Sequence, residues 1–172
     1  TIPKQQYFDE SCGEFVYVPE QHLTLEHSLV SLSKWESKWH NPFIQDETKT
    51  IDRTLHYIRC MTINKNVNPL AYRGITPALF KQINDYIDAP MTATWFSKEQ
   101  SKGSKSAVIT SELIYYWMIA LQIPVEFEKW HLNRLITLIK VCNIKNAPPK
   151  KMSRREIMER NRRLNAARKK KP

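Results

Sequence analysis

The last 23 residues of this 172-residue chain hold almost all of its net charge of +10. From Lys150 to Pro172 there are eleven lysines and arginines against two glutamates, which gives +9. The first 149 residues carry sixteen cations and fifteen carboxylates, which gives +1. A segment so rich in charge and so poor in apolar side chains cannot bury a core of its own. The sequence therefore predicts a nearly neutral folded domain over 1–149 and a basic arm over 150–172.

The apolar residues of the first 149 positions recur mainly at steps of three and four, which is typical of amphipathic helices. The clearest stripe contains Leu25, Leu29, Leu32, Trp35 and Trp39. Prolines and polar runs separate such stretches, and they predict helices over about 23–40, 50–61, 77–88, 108–122 and 124–142. We expect a mainly α-helical domain in which the last two of these helices form an antiparallel hairpin at the centre of the core.

The N-terminus reads differently, because strand-forming residues flank a short turn-forming segment. Tyr7-Phe8 and Phe15-Val16-Tyr17-Val18 favour strands, and residues 9–13 between them favour a turn. We predict a short β-hairpin over about 6–18. Two strands alone are marginal in water, so this hairpin must pack on the helices.

The arm has a helix signal of its own. Ser153-Arg154-Arg155-Glu156 matches a capping box, and Met152 with Ile157 occupies the positions of a hydrophobic staple. The apolar stripe that follows is thin. We expect a helical arm that becomes fully ordered on a partner.

Residues suited to catalysis or metal binding are scattered along the chain. The three glycines are isolated at 13, 74 and 103, so they build no phosphate-binding loop. No histidine has another histidine four residues on, and no cysteine or carboxylate cluster completes a zinc site. His131, inside a predicted core helix, is interpreted as a histidine with a satisfied hydrogen bond. We therefore predict no enzymatic activity, no cofactor and no metal.

The same residues bear on where the protein works. Cysteines at 12, 60 and 142 have no paired spacing, which favours a reducing compartment over a disulfide scaffold. No apolar run approaches the roughly 20 residues that span a bilayer, and the first residues lack an export signal. We expect no membrane partner.

The arm supplies the candidate partner-binding residues. They are Lys150, Lys151, Arg154, Arg155, Arg160, Arg162, Arg163, Arg168, Lys169, Lys170 and Lys171. Three roles are open: nonspecific contact with nucleic-acid phosphates, docking on an acidic protein surface, and a purely solubilising tail. The arm has no aromatic residue, so it offers no platform for stacking bases.

Three pairs of stretches resemble small proteins from the structural gene blocks of tailed bacteriophages. Among these proteins, the chain most resembles tail assembly chaperones. The three pairs are LEHSL at 25–29 with SKWESKW at 33–39, IYYWM at 114–118 with KWHLNRL at 129–135, and VCNIKN at 141–146 with PPKKM at 148–152.

The resemblance implies a non-enzymatic morphogenesis protein that binds the phage tape measure protein and tail tube protein in the host cell cytoplasm during assembly. A basic arm also suits an alternative, a virion structural protein associated with the head–tail junction or capsid. Its arm would contact nucleic acid or an acidic protein surface. Homo-oligomer formation is open in both cases.

Overall fold

A computed structural model describes residues 1–10, 13–46, 50–94, 96, 108–148 and 153–169. The protein is mainly helical with one two-stranded antiparallel sheet near the N-terminus, which confirms the predicted fold class. Its contacts divide the chain into two compact units, Thr1–Cys142 and Asn143–Pro172. This division falls seven residues before the boundary expected from the charge pattern.

The N-terminal hairpin consists of β1 (Gln5–Asp9) and β2 (Glu14–Val18), paired from Gln5↔Val18 to Asp9↔Glu14. Gly13 enters β2 with a φ of +69°, a left-handed conformation that favours glycine. Val18 is buried, and the Gln5 side chain occupies the space where a Cβ on Gly74 would lie. One face of the hairpin therefore packs on the rest of the unit, as its marginal size requires.

The first helix, α1 (Leu29–Trp39), begins six residues later than predicted. Ser28 caps it: the Ser31 amide donates to Ser28 Oγ at 3.4 Å, and the Ser28 amide donates to Ser31 Oγ at 3.0 Å. The preceding residues pair instead with the segment after the second helix, through an antiparallel bridge between Leu25 and Thr62. The prediction of helix over 23–28 was wrong because this tertiary pairing outweighs the local apolar spacing.

Three further helices lie close to their predicted positions. They are α2 (Ile51–Met61), α3 (Pro77–Asp88) and α4 (Ser111–Ala120). Each is capped by a threonine hydroxyl that accepts from a first-turn amide: Thr50, Thr76 and Thr110 respectively. The capping threonines explain why α2 and α4 begin where they do. Short 3₁₀ helices at Phe43–Gln45 and Pro69–Gly74 connect α1 to α2 and α2 to α3.

The helix predicted over 124–142 is in fact two elements. A 3₁₀ helix covers Val125–Lys129, and α5 (Leu132–Asn146) follows after a break. Trp130 is extended at the break and stacks on Phe127, with ring centroids 3.9 Å apart. The Leu132 amide then donates to the carbonyl of His27 at 2.9 Å. The break lets the first residue of α5 hydrogen-bond to the segment before α1.

The core is organised around α1 and not around the predicted hairpin of the last two helices. Among the described elements, the extensive helix contacts are those that α1 makes with α2, with α4 and with the 3₁₀ helices at Phe43–Gln45 and Val125–Lys129. The fully buried side chains include Leu29, Leu32 and Trp35 of α1, Ile58 and Met61 of α2, Ile114 of α4 and Leu135 of α5. The expectation of a central α4–α5 hairpin was wrong, because α5 starts against the entry of α1.

Candidate functional site

The arm forms a helix, α6 (Arg154–Lys169), that starts at the predicted capping box. The Ser153 amide donates to a Glu156 carboxylate oxygen at 2.7 Å, and the Glu156 amide donates to Ser153 Oγ at 3.3 Å. Both donors would otherwise lack an intrahelical partner. The reciprocal bonds fix the first turn. The other half of the predicted staple, Met152, lies outside the described residues.

The structure places the predicted partner-binding cations in three groups. Five have exposed side chains on α6: Arg154, Arg155, Arg160, Arg162 and Arg163. Arg168 and Lys169 lie in the last turn of α6. Lys150, Lys151, Lys170 and Lys171 lie outside the described residues.

The two sides of α6 differ in how their charge is balanced. At about 100° per residue, Glu156, Glu159 and Arg163 share one side of the helix. There the Arg163 guanidinium donates to Glu159 at 2.7 Å, one turn apart. Arg154, Arg155 and Arg162 lie on an adjacent side of the helix, and none of them forms an ion pair with another described residue. We call these three the arginine face.

Apolar side chains are exposed along the same helix. Ile157, Met158 and Leu164 are all solvent-accessible, and Met158 is 67% exposed in the middle of the arginine face. A purely solubilising helix would gain nothing from these residues. Their exposure close to the arginine face is typical of a helix that docks into a groove on a partner.

His131 lies at the break before α5, where its Nε2 is 2.9 Å from the carbonyl oxygen of Tyr86. The predicted hydrogen bond is therefore present at one ring nitrogen. Its Nδ1 is buried without a hydrogen-bond partner among the described residues. Its ring packs edge-on against His27 and Tyr86, at centroid distances of 4.9 and 5.0 Å. These contacts give His131 a packing role between α3 and the entry of α1.

Sequence reasoning missed a buried polar group that connects three elements, the carboxylate of Glu36. One oxygen accepts from the amide of Phe43 at 2.9 Å, and the other accepts from the amide of Ser111 at 2.7 Å. Glu36 thus joins α1 to the 3₁₀ helix that follows it and to the start of α4. The only hint in the sequence was its position next to Trp35 on the apolar side of α1.

A second buried network surrounds Tyr57. Its hydroxyl is 2.6 Å from Nδ1 of His27 and 3.4 Å from Oγ of Ser31. Burial raises the pKa of Tyr57 far above its ordinary value. A phenol that holds its proton so strongly is a structural hydrogen-bond donor.

The pair His56 and Cys60 lies one turn apart on α2, with Cys60 Sγ 3.6 Å from His56 Nδ1. Trp39 Nε1 also donates to His56 Nδ1, at 3.2 Å. Burial raises the pKa of the Cys60 thiol, more than the nearby Lys34 and Lys38 lower it. The thiol therefore stays protonated at neutral pH, which disfavours a nucleophilic role.

Among residues 1–10, 13–46, 50–94, 96, 108–148 and 153–169, no group of three or more His, Cys, Asp or Glu side chains is placed to hold a metal ion. Within the same ranges no helix is both long and apolar enough to cross a bilayer. Trp95 and the polar segment 97–106 lie outside these ranges. Phe96 is half-buried, with the Lys140 ammonium 5.9 Å from its ring centroid.

Comparison of the chain with protein-family models, with curated proteins and with solved structures finds no match.

Proposed function

We propose that this chain is a non-enzymatic phage morphogenesis protein, a tail assembly chaperone whose arm binds the tape measure protein and recruits tail tube subunits. The observation that carries the proposal is the arginine face of α6 with exposed Met158 at its centre. The resemblance of the sequence to such chaperones supplies the biological setting.

The chemistry of α6 favours an acidic protein surface over nucleic acid as the partner. A phosphate backbone would attract the arginines, but it offers no apolar surface for Ile157, Met158 and Leu164. A groove with an apolar floor and carboxylates at its rim would satisfy both kinds of side chain.

Co-expression with the tape measure protein of the same gene block tests this function. The full chain should co-purify with the tape measure protein, and Arg155→Glu/Arg162→Glu should reduce the captured amount at least tenfold. Lys65→Glu/Lys81→Glu is the matched control, because it makes the same charge change at two exposed residues of the domain. Absence of co-purification, or normal tails after deletion of the gene, would refute the chaperone function.

The alternative, a virion structural protein, is favoured by the net charge of +9 over residues 150–172. Mass spectrometry of purified virions separates the two, since a chaperone leaves the particle and a structural protein stays in stoichiometric amounts. If the arm contacts DNA there, a mobility shift should appear and weaken steeply as salt increases.

A further inference from the structure

The outer face of the N-terminal hairpin carries three large aromatic side chains that no described residue covers. Phe8, Phe15 and Tyr17 are 54%, 67% and 62% exposed. Phe8 lies directly across from Phe15, and their rings meet edge-to-face at 5.2 Å. We call these three residues the aromatic face. Clustered exposed aromatics on a small folded unit mark a surface that binds another molecule.

The charge around the aromatic face indicates what it binds. Residues 5–33 contain five carboxylates and no lysine or arginine. Glu10 and Glu14 are exposed at the closed end of the hairpin, at the border of the aromatic face; Glu14 pairs with Asp9 and therefore lies on the other side of the sheet from Phe8 and Phe15. A partner that covers this surface should therefore be basic and should carry apolar side chains.

We propose that the aromatic face binds the arm of a second copy of this chain. The arginine face of α6 has the required chemistry, because guanidinium groups both stack on aromatic rings and pair with carboxylates. Met158, at its centre, is a side chain that packs well against aromatic rings. Every copy carries both an aromatic face and an arginine face, so each copy offers both halves of the contact.

This self-association uses the same arginine face as the chaperone function proposed above, so a second copy and the tape measure protein would compete for one arm, and Glu10→Lys/Glu14→Lys should abolish only the self-association. It joins two different surfaces, so it is either a head-to-tail contact that adds copies as concentration increases or a reciprocal dimer in which each arm lies on the other copy's hairpin, and the sedimentation series distinguishes these two forms. Because exposed charges contribute to it, moderate salt should weaken it.

Sedimentation velocity of the full chain over a concentration series tests the proposal with two charge-reversal variants. Glu10→Lys/Glu14→Lys alters only the hairpin, and Arg155→Glu/Arg162→Glu alters only the arm. The wild-type protein should self-associate, and each variant alone should be monomeric. An equimolar mixture should associate again, because the intact arm of the first variant meets the intact hairpin of the second, and the two reversed surfaces are also opposite in charge.

A matched pair of aromatic variants tests the apolar part of the contact. Phe15→Ser should weaken self-association at least tenfold, as expected for loss of a central aromatic anchor. Tyr116→Ser on α4 should leave it unchanged, although Tyr116 is 63% exposed and so similar to Phe15 in exposure. Circular dichroism of each variant verifies that the fold is retained.

Three results would overturn the proposal. The first is a wild-type chain that is monomeric at all concentrations. The second is a mixture of variants that stays monomeric while the wild-type chain associates, which would mean that identical surfaces of the two copies meet. Association that disappears after nuclease treatment would mean that nucleic acid bridges the arms. Capture of the tape measure protein is measured separately, so these results leave the proposed function standing.

Discussion

The surroundings of α1 and the arm helix α6 use charged side chains in opposite ways. Glu36 is buried, and each of its carboxylate oxygens accepts a hydrogen bond from a backbone amide of another element. Arg154, Arg155 and Arg162 are exposed and form no ion pair with a described residue. The free energy of the Glu36 interactions contributes to folding, whereas that of the three arginines is still available for a partner. Substitutions around α1 should therefore change stability, and substitutions in the arm should change binding.

The largest expected effect follows replacement of Glu36. Glu36→Ala leaves the buried amides of Phe43 and Ser111 without an acceptor, and should lower the free energy of unfolding by about 3 kcal/mol. Glu36→Gln keeps one acceptor oxygen and should lose about half as much. Urea unfolding followed by tryptophan fluorescence measures both. Equal losses for the two variants would contradict this account of the carboxylate.

A smaller effect is expected from the ionisation of His56. Burial lowers the pKa of His56, and the nearby charges of Lys38 and Arg59 lower it further. The folded state therefore disfavours the imidazolium, so stability should fall as the pH drops below about 6.5, where the unfolded chain takes up the proton.

The variant His56→Asn isolates this pH effect. Its amide oxygen can still accept the hydrogen bond from Trp39 Nε1, but it does not titrate. The difference in unfolding free energy between wild type and variant should change with pH below about 6.5 and be constant above it. A constant difference throughout would show that protonation of His56 is not coupled to folding.

Loss of the cap on α6 should act only on the arm. Ser153→Ala removes the hydroxyl that accepts from the Glu156 amide, and should destabilise this helix by about 1 kcal/mol. Amide hydrogen exchange of residues 154–169 measures the effect. Asn161→Ala is the control of opposite sign, since alanine favours a helix interior. A change in the unfolding of the α1 core in either variant would contradict the separation.

The smallest effect on stability should follow removal of the whole arm. A chain that ends at 149 should unfold within about 0.5 kcal/mol of the full chain, because the arm's described side chains are exposed. Its capture of the tape measure protein should be lost. A markedly less stable truncated chain would contradict the conclusion that the arm contributes to binding and not to the stability of the domain.

Local sequence signals predicted the elements that local interactions determine. Residues that are neighbours in the sequence determine the hairpin, the helices that begin after Thr50 and Thr76, and the capping box of α6. The arginines of the candidate site were also predicted, because charge is visible in composition alone. Their division into a balanced side and an unbalanced side needed the helical register.

Long-range hydrogen bonds decided the features that prediction got wrong or missed. Residues 23–28 became extended because Leu25 pairs with Thr62, and α5 starts late because Leu132 bonds to His27. The two backbone amides that donate hydrogen bonds to Glu36 belong to residues 7 and 75 positions away in the chain. Periodicity reports which side of an element is apolar, but it carries no information on which distant backbone group needs a partner.

The sequence by itself therefore determined a mainly helical domain with a short hairpin and a separate basic arm, because helix spacing, capping and charge are properties of neighbouring residues. Only the tertiary structure decided that α1 is the centre of the core and that Glu36 is buried within it. Only the structure also distinguished the exposed aromatic side of the hairpin from its packed side. All three outcomes depend on which surfaces meet across the fold, and that depends on packing between distant parts of the chain.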